Sequence, residues 1–546
     1  MSTLAKEECF SMQQVADDRT PDKNATTGAL SKQRSEARDA LLKHLVSGGD
    51  ERLDCDPLTG LNMYGYGPAP RPEDLAFGSS TASTISAAAF AAVESYYADL
   101  RREMETSSPT AVYDREIGRG REDLLRLLGL NQASAPRIDA ILATSGTDIH
   151  LFSAALLAGE DERALMTITL MGNETGSGVM TASAGRHFMS RVSSARSVAK
   201  GEELRVGDAT RNATIAVRNK DGSLRADNEV EEELRGLIEL ARAAGLRCLL
   251  VVTDVSKTSL LAPSLETVMR LKERFGTVLD IMIDACQFRL SAATIRAYLA
   301  HGFMVALTGS KFLAGPIFSG ALLCPPQMSQ RFKSRALPGA LADYCGKAEW
   351  PESWAARNIL PERANLGLLL RWKAALFELG CFLDIPEDRV VTVLSAFAEA
   401  VSDRLANDPA FEPLQSRRLE RRELWGASSA LRWDEIPSIF SFYLRNCTDG
   451  AMLTAAEMAA VYKELAVEGD GVALARLGQP VRCADFGDVP ASALRICLSA
   501  PLVVAASKSD EALAAVVAHA MQVLDRTAEA AARQRQGNAK DMRRSA

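Results

Sequence analysis

The chain has 546 residues, of which 47% are hydrophobic and 24% are charged. A chain of this length and apolar content exceeds one compact core and is not typical of disorder, so we expect two packed domains with appendages. The formal net charge of −7 argues against nucleic acid or an anionic membrane surface as the partner and favours a small molecule.

Ten cysteines are scattered along the sequence, without a CxxC pair and without the spacing typical of a zinc site. The first residues, 1–14, lack the charged and apolar blocks of a secretory signal. No window approaches the roughly 18 uninterrupted apolar residues of a membrane helix. We therefore expect a protein of the reducing cytoplasm that needs neither a metal nor a membrane.

The N-terminal part of the chain precedes any regular alternation of elements. Residues 1–57 are polar and charged, with one helical stretch near 31–46, and are interpreted as an arm. Residues 58–83 are dense in glycine, proline, serine and tyrosine, which predicts an irregular but ordered loop leading into a helix at 87–100. The arm and the beginning of this loop form a predicted N-terminal segment, residues 1–75.

Beyond residue 114, short apolar strands alternate with amphipathic helices. The predicted strands are DAILA (139–143), ALMTITL (164–170), RCLLVVTD (247–254), LDIMID (279–284) and FMVALTG (303–309). This alternation predicts an α/β fold with a mostly parallel sheet sandwiched by helices, in a large domain at residues 76–330. Ligands bind at the carboxyl ends of the strands in such sheets, so the residues after each strand are the candidates for a site.

After about residue 325 the alternation weakens into longer helices. Two late strands, SIFSFYL (438–444) and ALRICLS (493–499), and a helix near 510–528 predict a smaller C-terminal α+β domain at residues 331–528. The last stretch, 529–546, is basic and polar, which predicts a disordered tail. No internal repeat suggests a solenoid.

The strongest chemical signal is a lysine directly after an apolar strand. Thr308, Gly309, Ser310 and Lys311 follow FMVAL. A partly desolvated lysine amine can attach a carbonyl cofactor, and the two hydroxyls can bind an anionic phosphate. By itself the pattern is more typical of a surface lysine, but the neighbouring strand ends favour the functional interpretation.

A carboxylate and an amide stand at the end of the preceding strand. Asp284 ends LDIMID, and Gln287 follows three residues later. A buried carboxylate that faces a pyridine nitrogen keeps this nitrogen protonated, so that the ring accepts the electron pair released at an α carbon. Taken alone, an aspartate at a strand end is more often a helix cap.

A third strand end carries Ser145, Gly146 and Thr147 just before a helix. Glycine permits close backbone approach, and the free amides at a helix amino terminus bind phosphate. An N-cap box explains the same residues equally well. Three such features in this order, each at the end of a predicted strand, are unlikely to coincide by chance.

Taken together, these motifs resemble the fold type I enzymes that depend on pyridoxal 5′-phosphate (PLP), within the aminotransferase class V superfamily that includes the cysteine desulfurases. TSGTD (144–148) is similar to the TSGAT phosphate loop of this family, and IDACQ (283–287) to its Asp-Ala-x-Gln. TGSKFLAGPIFSGALL (308–323) is similar to its Ser-Gly-His-Lys stretch and the Gly-Pro and Gly-Ala-Leu that follow. FGSSTASTIS (77–86) resembles its amino-terminal turn near the substrate. The resemblance covers most of the chain.

The resemblance implies a role for each matching residue. Lys311 would form the Schiff base and shuttle protons, Asp284 would face the pyridine nitrogen, and Gln287 would donate to the phenolic oxygen. Phosphate would be held at two strand ends, by Ser145, Gly146, Thr147, Thr308 and Ser310. The late strand ALRICLS resembles the LRVSL of the family, which makes Arg495 the clamp on the substrate carboxylate. Ser80 and Thr81 would lie near the substrate.

The chain departs from the family pattern where a histidine usually stacks on the cofactor ring. There it has MGNETGSGV (171–179), so Glu174 or Thr175 takes that place. Glu174 is predicted as a catalytic acid or base, with an exposed loop carboxylate as the alternative, and Thr175 as a cofactor contact. Ser256 stands where the family often has an asparagine near the phenolic oxygen.

The reaction type stays open at this point. The family chemistry implies that the substrate amine replaces Lys311 in an external aldimine, followed by a quinonoid or carbanion. The mobile cysteine loop of the desulfurases is missing, and the nearest candidate, Cys447, is more typical of an incidental thiol. We therefore expect a lyase or a carbon–carbon bond-forming enzyme of specialised metabolism. The alternatives are an aminotransferase, a carbon–sulfur lyase or desulfurase-like enzyme, and a non-catalytic regulator that binds PLP.

Partners follow from the same resemblance. Enzymes of this type are usually dimers with sites at the subunit interface, so we expect a homodimer. The ligand would be a small-molecule amino acid, with a second small co-substrate if a carbon–carbon bond is formed.

Overall fold

A computed structural model describes most of the chain, in the ranges 24–132, 136–158, 163–204, 210–425, 431–446, 450–467 and 473–544. Side chains are described from residue 35 to 534 within these ranges. The chain divides into two units, Met1–Leu41 and Leu42–Ala546, and every described strand lies in the second.

The helices are α1 (Asn24–Leu45), α2 (Ala87–Met104), α3 (Pro109–Leu127), α4 (Gly146–Leu157), α5 (Val179–Ser183), α6 (Asp227–Ala243), α7 (Leu265–Phe275), α8 (Ala292–Ala300), α9 (Pro326–Phe332), α10 (Leu366–Leu383), α11 (Glu387–Asn407), α12 (Ala455–Leu465), α13 (Ala500–Ala506) and α14 (Asp510–Arg544). The strands are β1 (Leu75–Ala76), β2 (Asp139–Ala143), β3 (Leu165–Leu170), β4 (Arg211–Ile215), β5 (Arg247–Thr253), β6 (Leu279–Ala285), β7 (Met304–Thr308), β8 (Gly320–Cys324), β9 (Phe411–Pro413), β10 (Ile439–Leu444), β11 (Ala475–Arg476), β12 (Gly478–Phe486) and β13 (Val489–Cys497).

The large sheet has seven strands in the order β2-β8-β7-β6-β5-β3-β4. Strands β4, β3, β5, β6 and β7 pair in parallel, and β8 runs antiparallel to both of its neighbours, β7 and β2. Every residue of β5, β6 and β7 is buried, as expected for apolar strands covered by helices on both faces. The predicted α/β class and the mostly parallel sheet are confirmed.

Serine N-caps begin several of the helices that follow strands. The hydroxyl of Ser145 accepts from the backbone of Asp148 at the start of α4, and Ser291 does the same for Thr294 at the start of α8. Each cap satisfies one of the free amides of the first turn and fixes where the chain turns from strand to helix. The carboxyl ends of the strands therefore open directly into ordered turns.

A second, antiparallel sheet with the order β12-β13-β10-β9 forms the smaller C-terminal part, as predicted. The short parallel pair of β1 and β11 joins the N-terminal loop to this part. Beyond that pair, the backbone of Phe77 accepts from Cys497 at 2.9 Å and donates to Arg476 at 2.9 Å. The residues that follow Phe77 are thereby held against β13.

The sequence prediction and the structure differ at several strands and at the C-terminal end. The strands that were not predicted are the short β1, β9 and β11, the edge strand β4, the reversed strand β8 and the hairpin strand β12. Helix α14 continues to Arg544, so residues 529–544 are helical, whereas the sequence predicted a disordered tail for 529–546. The predicted domain boundaries stay predictions. Within the described ranges, no helix combines the length and the apolar character needed to cross a membrane.

Candidate functional site

The candidate site lies where the parallel strands of the large sheet end. Strands β2, β3, β5, β6 and β7 all point the same way, because two antiparallel pairings with β8 bring β2 back into the direction of β7. Their carboxyl ends therefore meet at one edge of the sheet. The predicted site residues between positions 145 and 311 lie at the ends of these five strands or shortly after them.

Lys311 lies three residues beyond β7 in a tight turn. Its carbonyl accepts hydrogen bonds from Ala314 at 3.0 Å and from the Ser83 hydroxyl at 2.9 Å, and Ser310 beside it is buried. Burial lowers the pKa of Lys311, Asp284 raises it, and the positive charges of Arg495 and Arg289 lower it again, so the pKa lies below its ordinary value. A larger fraction of the amine is therefore neutral, which is the form that attacks a carbonyl.

Asp284 lies on β6, the strand next to β7, and its carboxylate is buried. Nε2 of His150 is 3.2 Å from one carboxylate oxygen, and the backbone of Cys286 donates to the other at 3.1 Å. Burial raises the pKa of this carboxyl, but the hydrogen bond and charge of His150, together with Cys286 and Lys311, outweigh it and hold the pKa well below its usual range. Asp284 is thus kept ionised.

The turn after β2 forms a close-packed cradle at the amino terminus of α4. A Cβ atom on Gly146 would lie 2.9 Å from Cys286 Sγ and 3.0 Å from a methyl carbon of Thr308, so this position requires glycine. The structure therefore brings Ser145, Gly146 and Thr147 against Thr308, as predicted. The hydroxyl of Thr308 donates to the Cys286 carbonyl at 2.5 Å, which leaves the backbone amides of the cradle as its main anion donors.

Two acidic groups and one arginine flank this cradle. Nη1 of Arg52 donates to the Thr147 hydroxyl at 3.2 Å and Nη2 donates to the Ser145 hydroxyl at 3.1 Å, while Asp50 binds the same guanidinium at 2.8 and 2.6 Å. Ser145 also donates to the Asp148 carboxylate. Burial and, after it, the charge of Asp50 raise the pKa of Asp148 to about 6. A phosphate at this place would therefore lie beside an Asp50–Arg52 pair whose charges cancel, and beside the carboxyl of Asp148, which has a raised pKa.

The predicted substrate residues lie together, where the loop after β1 meets β13. Nη2 of Arg495 donates to the Thr81 hydroxyl at 2.8 Å and to the Gln479 carbonyl at 2.7 Å. The side-chain amide of Gln287 donates to the Ser80 carbonyl at 3.0 Å. The loop after β1 is thus fixed both to β13 and to the turn after β6.

Several polar atoms of these residues are buried without a hydrogen-bond partner in the described parts of the chain. They are Ser80 Oγ, Thr175 Oγ1, Gln287 Oε1, and Nε and Nη1 of Arg495. A buried polar atom without a partner costs about 1–3 kcal/mol, which a ligand that supplies the partner recovers. The guanidinium of Arg495 keeps two nitrogens free to bind a carboxylate.

Glu174 and Ser256 differ from their predicted roles. The carboxylate of Glu174 is buried and accepts from Arg218 at 2.9 Å, from Ser256 at 2.7 Å and from Thr258 at 2.6 Å. The Ser256 hydroxyl gives its proton to Glu174 and accepts from two backbone amides, those of Thr258 and Leu260. Both side chains therefore already have hydrogen-bond partners in the protein. The alternative prediction for Glu174, an exposed loop carboxylate, is wrong. The two side chains fix the turn after β5 and offer no free hydroxyl proton to a cofactor.

Lys257 was not predicted as a site residue. It lies between Ser256 and Thr258 in the turn after β5. Its ammonium donates to the Gly172 carbonyl at 3.1 Å. Burial lowers the pKa of Lys257 to about 7, and the positive charges of Arg495 and Lys311 add to this lowering. Lys257 follows β5 as directly as Lys311 follows β7, so the strand-end argument applied to all strands would have found it.

Two other residues that contact the site, His150 and Arg52, were not predicted as site residues, and the sequence had favoured a local structural role for His150. His150 lies four residues after Gly146, one turn along α4, so the helical spacing could have indicated that it faces the same side. Arg52 has no such signal, because its partners Ser145 and Thr147 are more than 90 residues away in sequence. Cys447, the thiol considered for a desulfurase role, lies outside the described residues.

A cavity of about 810 Å³ adjoins the Arg495 end of the site. The N-terminal loop lines one side with Tyr64, and the smaller domain lines the other with Tyr462 and Gln479. The carbonyl of Gln479 accepts from Arg495, so the cavity ends beside the guanidinium. In the described ranges, no group of three or more histidine, cysteine, aspartate and glutamate side chains is arranged to hold a metal ion.

No protein-family model matches the sequence, and no curated protein matches it. Among solved structures, the chain is similar to the cysteine desulfurase CsdA of Escherichia coli, with 15% identity, a TM-score of 0.49, and coverage of 84% of this chain and 96% of that chain. It is also similar to a sphingosine-1-phosphate lyase of Burkholderia pseudomallei, with 11% identity, a TM-score of 0.44 and 98% coverage of both chains. For the TDC of Oryza sativa with PLP, the identity is 13%, the TM-score is 0.47, and coverage is 96% of this chain and 92% of that chain. At this degree of likeness, function rests on the side chains of the site.

Proposed function

We propose that this chain is an enzyme that uses PLP, attached to Lys311, to break or form a bond at the α carbon of an amino acid. One observation carries the proposal: Lys311 and Asp284 lie at the ends of neighbouring parallel strands, Asp284 is buried and Lys311 partly buried, and each shifts the pKa of the other. An amine with a lowered pKa suits the attack on an aldehyde, and an ionised carboxylate suits a ring nitrogen that must stay protonated.

The remaining residues fit the two ends of this cofactor. The cradle at Gly146 has the backbone approach and the helix amino terminus that a phosphate needs. The unpartnered atoms of Thr175 and Gln287 are available to the ring and its substituents. The fit is weaker at Ser256, whose proton is held by Glu174. We therefore propose that Gln287 donates to the phenolic oxygen through the second hydrogen of its side-chain amide, since the first goes to the Ser80 carbonyl.

The chemistry divides between the cofactor and the chain. When bound, PLP supplies an electron-poor ring that accepts the electron pair released at the α carbon. Asp284 would hold the proton on the ring nitrogen, and Arg495 would orient the substrate through its carboxylate. The Lys311 amine would take or give the proton at the α carbon, and its lowered pKa favours this exchange by making the neutral form more accessible.

We propose a lyase or carbon–carbon bond-forming reaction rather than sulfur transfer. Burial raises the pKa of the Cys286 thiol well above its ordinary value and raises that of Cys483 to about 12. Since the thiolate is the nucleophile, neither of these thiols near the site is suited to carry a persulfide. The homodimer and the cytoplasmic location stay predictions.

Absorbance spectroscopy of the purified protein tests the proposal. We expect a band near about 410–430 nm after incubation with PLP, which borohydride reduction fixes covalently at Lys311. Lys311→Ala should lose both the band and the label, and Lys333→Ala serves as a control at a lysine outside the site. The absence of the band from the wild-type protein would contradict the proposal.

Product analysis with a panel of amino acids then separates the reaction types. Release of carbon dioxide or of a side-chain fragment supports a lyase. Stoichiometric formation of a keto acid, with the amine form of the cofactor left behind, indicates an aminotransferase. Release of sulfide or pyruvate from cysteine indicates carbon–sulfur cleavage.

A further inference from the structure

The cavity beside Arg495 is larger than a small amino acid requires. Its volume of about 810 Å³ lies in the range of about 300–1,000 Å³ that encloses most of a drug-sized ligand. The Gln479 carbonyl accepts from Arg495 at 2.7 Å, and the Gln479 amide donates at 3.0 Å to the Thr81 hydroxyl, which Arg495 also contacts. Since Gln479 lines the cavity, a ligand whose carboxylate binds Arg495 has this space next to it.

The N-terminal loop connects the same cavity to the segment that carries the reactive lysine. Tyr64 lines the cavity, and its ring packs edge-on against the ring of Phe318, with 5.8 Å between the ring centres. Phe318 and Lys311 both lie in the segment between β7 and β8. The cavity therefore borders on the site in two places, through Gln479 at Arg495 and through Tyr64 at the lysine segment.

One face of helix α12 forms the wall opposite the loop. Ala455, Ala459 and Tyr462 line the cavity, and their spacing along the sequence puts them on one side of the helix. The two alanines fill little of the space in front of this face. On the loop side the lining consists of Leu61 and Tyr64 among others, and the Tyr462 hydroxyl lies 3.5 Å from the Tyr64 carbonyl. The two walls meet there, and each contributes one tyrosine to the lining.

The charged residues of the lining do not call for a charged ligand. Arg476 is buried and is paired with Asp74 at 2.6 Å. Asp54, Asp56 and Lys463 are exposed to solvent. The space between the loop and α12 therefore offers mainly apolar and aromatic surface, which favours a ligand group of the same kind because its burial removes apolar area from water.

We propose that this cavity binds an aryl group of the substrate, so that the enzyme acts on amino acids with a large aromatic side chain. The inference rests on the proposed function and names its substrate class. Arg495 would bind the α-carboxylate, and the aryl group would extend past Gln479 to Tyr64 and Tyr462. An aromatic ring gains from contact with other rings beyond its buried area, and it loses less conformational freedom on binding than an alkyl chain of similar size.

Isothermal titration calorimetry of the PLP-loaded protein with acids that lack an amino group tests this inference without turnover. Hydrocinnamate is propanoate with a phenyl group on its end, and nonanoate has as many carbon atoms as hydrocinnamate but no ring. We expect hydrocinnamate to bind at least about tenfold more tightly than propanoate, because the cavity buries its ring. Nonanoate should bind at least about threefold more weakly than hydrocinnamate, because its chain must be ordered.

Variants of α12 locate the effect in the cavity. Ala459→Leu places extra atoms in the space assigned to the ring, so it should weaken hydrocinnamate at least about tenfold and leave propanoate within about threefold of the wild type. Ala456→Leu makes the same change at an exposed position of the same helix and is the matched control, which should behave as the wild type. Should Ala459→Leu not fold, Ala455→Leu and the wild-type comparison decide in the same way.

Three results would overturn the inference. They are equal binding of propanoate and hydrocinnamate by the wild type, binding of nonanoate as tight as that of hydrocinnamate, and hydrocinnamate binding that Ala459→Leu leaves unchanged. The outcome stays separate from that for the proposed function. If the absorbance band of attached PLP is absent, the proposed function fails. If the band is present and the aryl acid shows no preference, only the substrate class is wrong.

Discussion

The buried pair of Glu174 and Arg218 gives a test that separates a structural carboxylate from a catalytic one. Both side chains are only 1% exposed. Glu174 accepts a hydrogen bond from the Arg218 guanidinium at 2.9 Å and further hydrogen bonds from the hydroxyls of Ser256 and Thr258. Glu174→Gln keeps an oxygen for the two hydroxyls but leaves the arginine buried without a counter-charge. Removing one partner of such a pair costs about 3–5 kcal/mol.

We therefore expect Glu174→Gln to lower the free energy of unfolding by about 3–5 kcal/mol, measured by urea denaturation. Arg218→Met combined with Glu174→Gln removes the orphaned charge, so the double variant should recover about 1–3 kcal/mol relative to the sum of the single effects. Glu203→Gln breaks only an exposed contact to Arg186 at 3.9 Å and should change stability by less than about 1 kcal/mol.

The activity of the same variant distinguishes a structural role of Glu174 from a catalytic one. If Glu174 only positions the turn after β5, the folded, PLP-loaded Glu174→Gln variant should keep kcat within about tenfold of the wild type. A general acid or base contributes about 10²- to 10⁴-fold. Wild-type stability together with a loss of kcat of more than a hundredfold would refute the structural interpretation and restore the catalytic one.

Two further predictions concern the cofactor end of the site. His150→Phe removes the hydrogen bond that lowers the pKa of Asp284. On acidification, Asp284 of the variant should therefore take up a proton, and PLP should be released, at a higher pH than in the wild type. The absorbance of bound PLP followed against pH measures this, and a profile identical to that of the wild type would contradict it. Asp148 has its pKa raised from 3.8 to about 6, so the folded state holds a proton that the unfolded state has lost, and stability falls as pH rises from about 4 to 6. Asp148→Asn should therefore raise the free energy of unfolding by up to about 3 kcal/mol at pH 7.5 and by almost nothing at pH 3, and equal effects at both would argue against this origin.

Much of the large sheet follows from its sequence because its strands are short, apolar and separated by helices. β2 was predicted with its observed bounds, and Lys311 and Asp284 could be placed at one edge because parallel strands end together. The direction of β8 could not be predicted in this way, since a fully buried strand has the same composition whether it runs parallel or antiparallel.

The errors at the site arise from contacts between distant segments. Ser256 was assigned by its position along the chain, but its proton goes to Glu174, which lies 82 residues earlier. The orientation of each side chain in a turn depends on such bonds, and here the Lys257 ammonium donates to the Gly172 carbonyl. A local motif identifies the strand end and leaves the orientation of each side chain within the turn undetermined.

The contacts of Arg52 have a consequence for the biosynthesis of the protein. This residue leaves the ribosome early, but the hydroxyls that it binds belong to Ser145 and Thr147, and its guanidinium lies 4.5 Å from the ring centre of Phe318. The flanking Gly48 carbonyl accepts from Asn365, 317 residues later. The surroundings of Gly146 are thus completed only after these later segments have been translated, and an N-terminal truncation past residue 52 would remove the Arg52 contacts to Ser145 and Thr147.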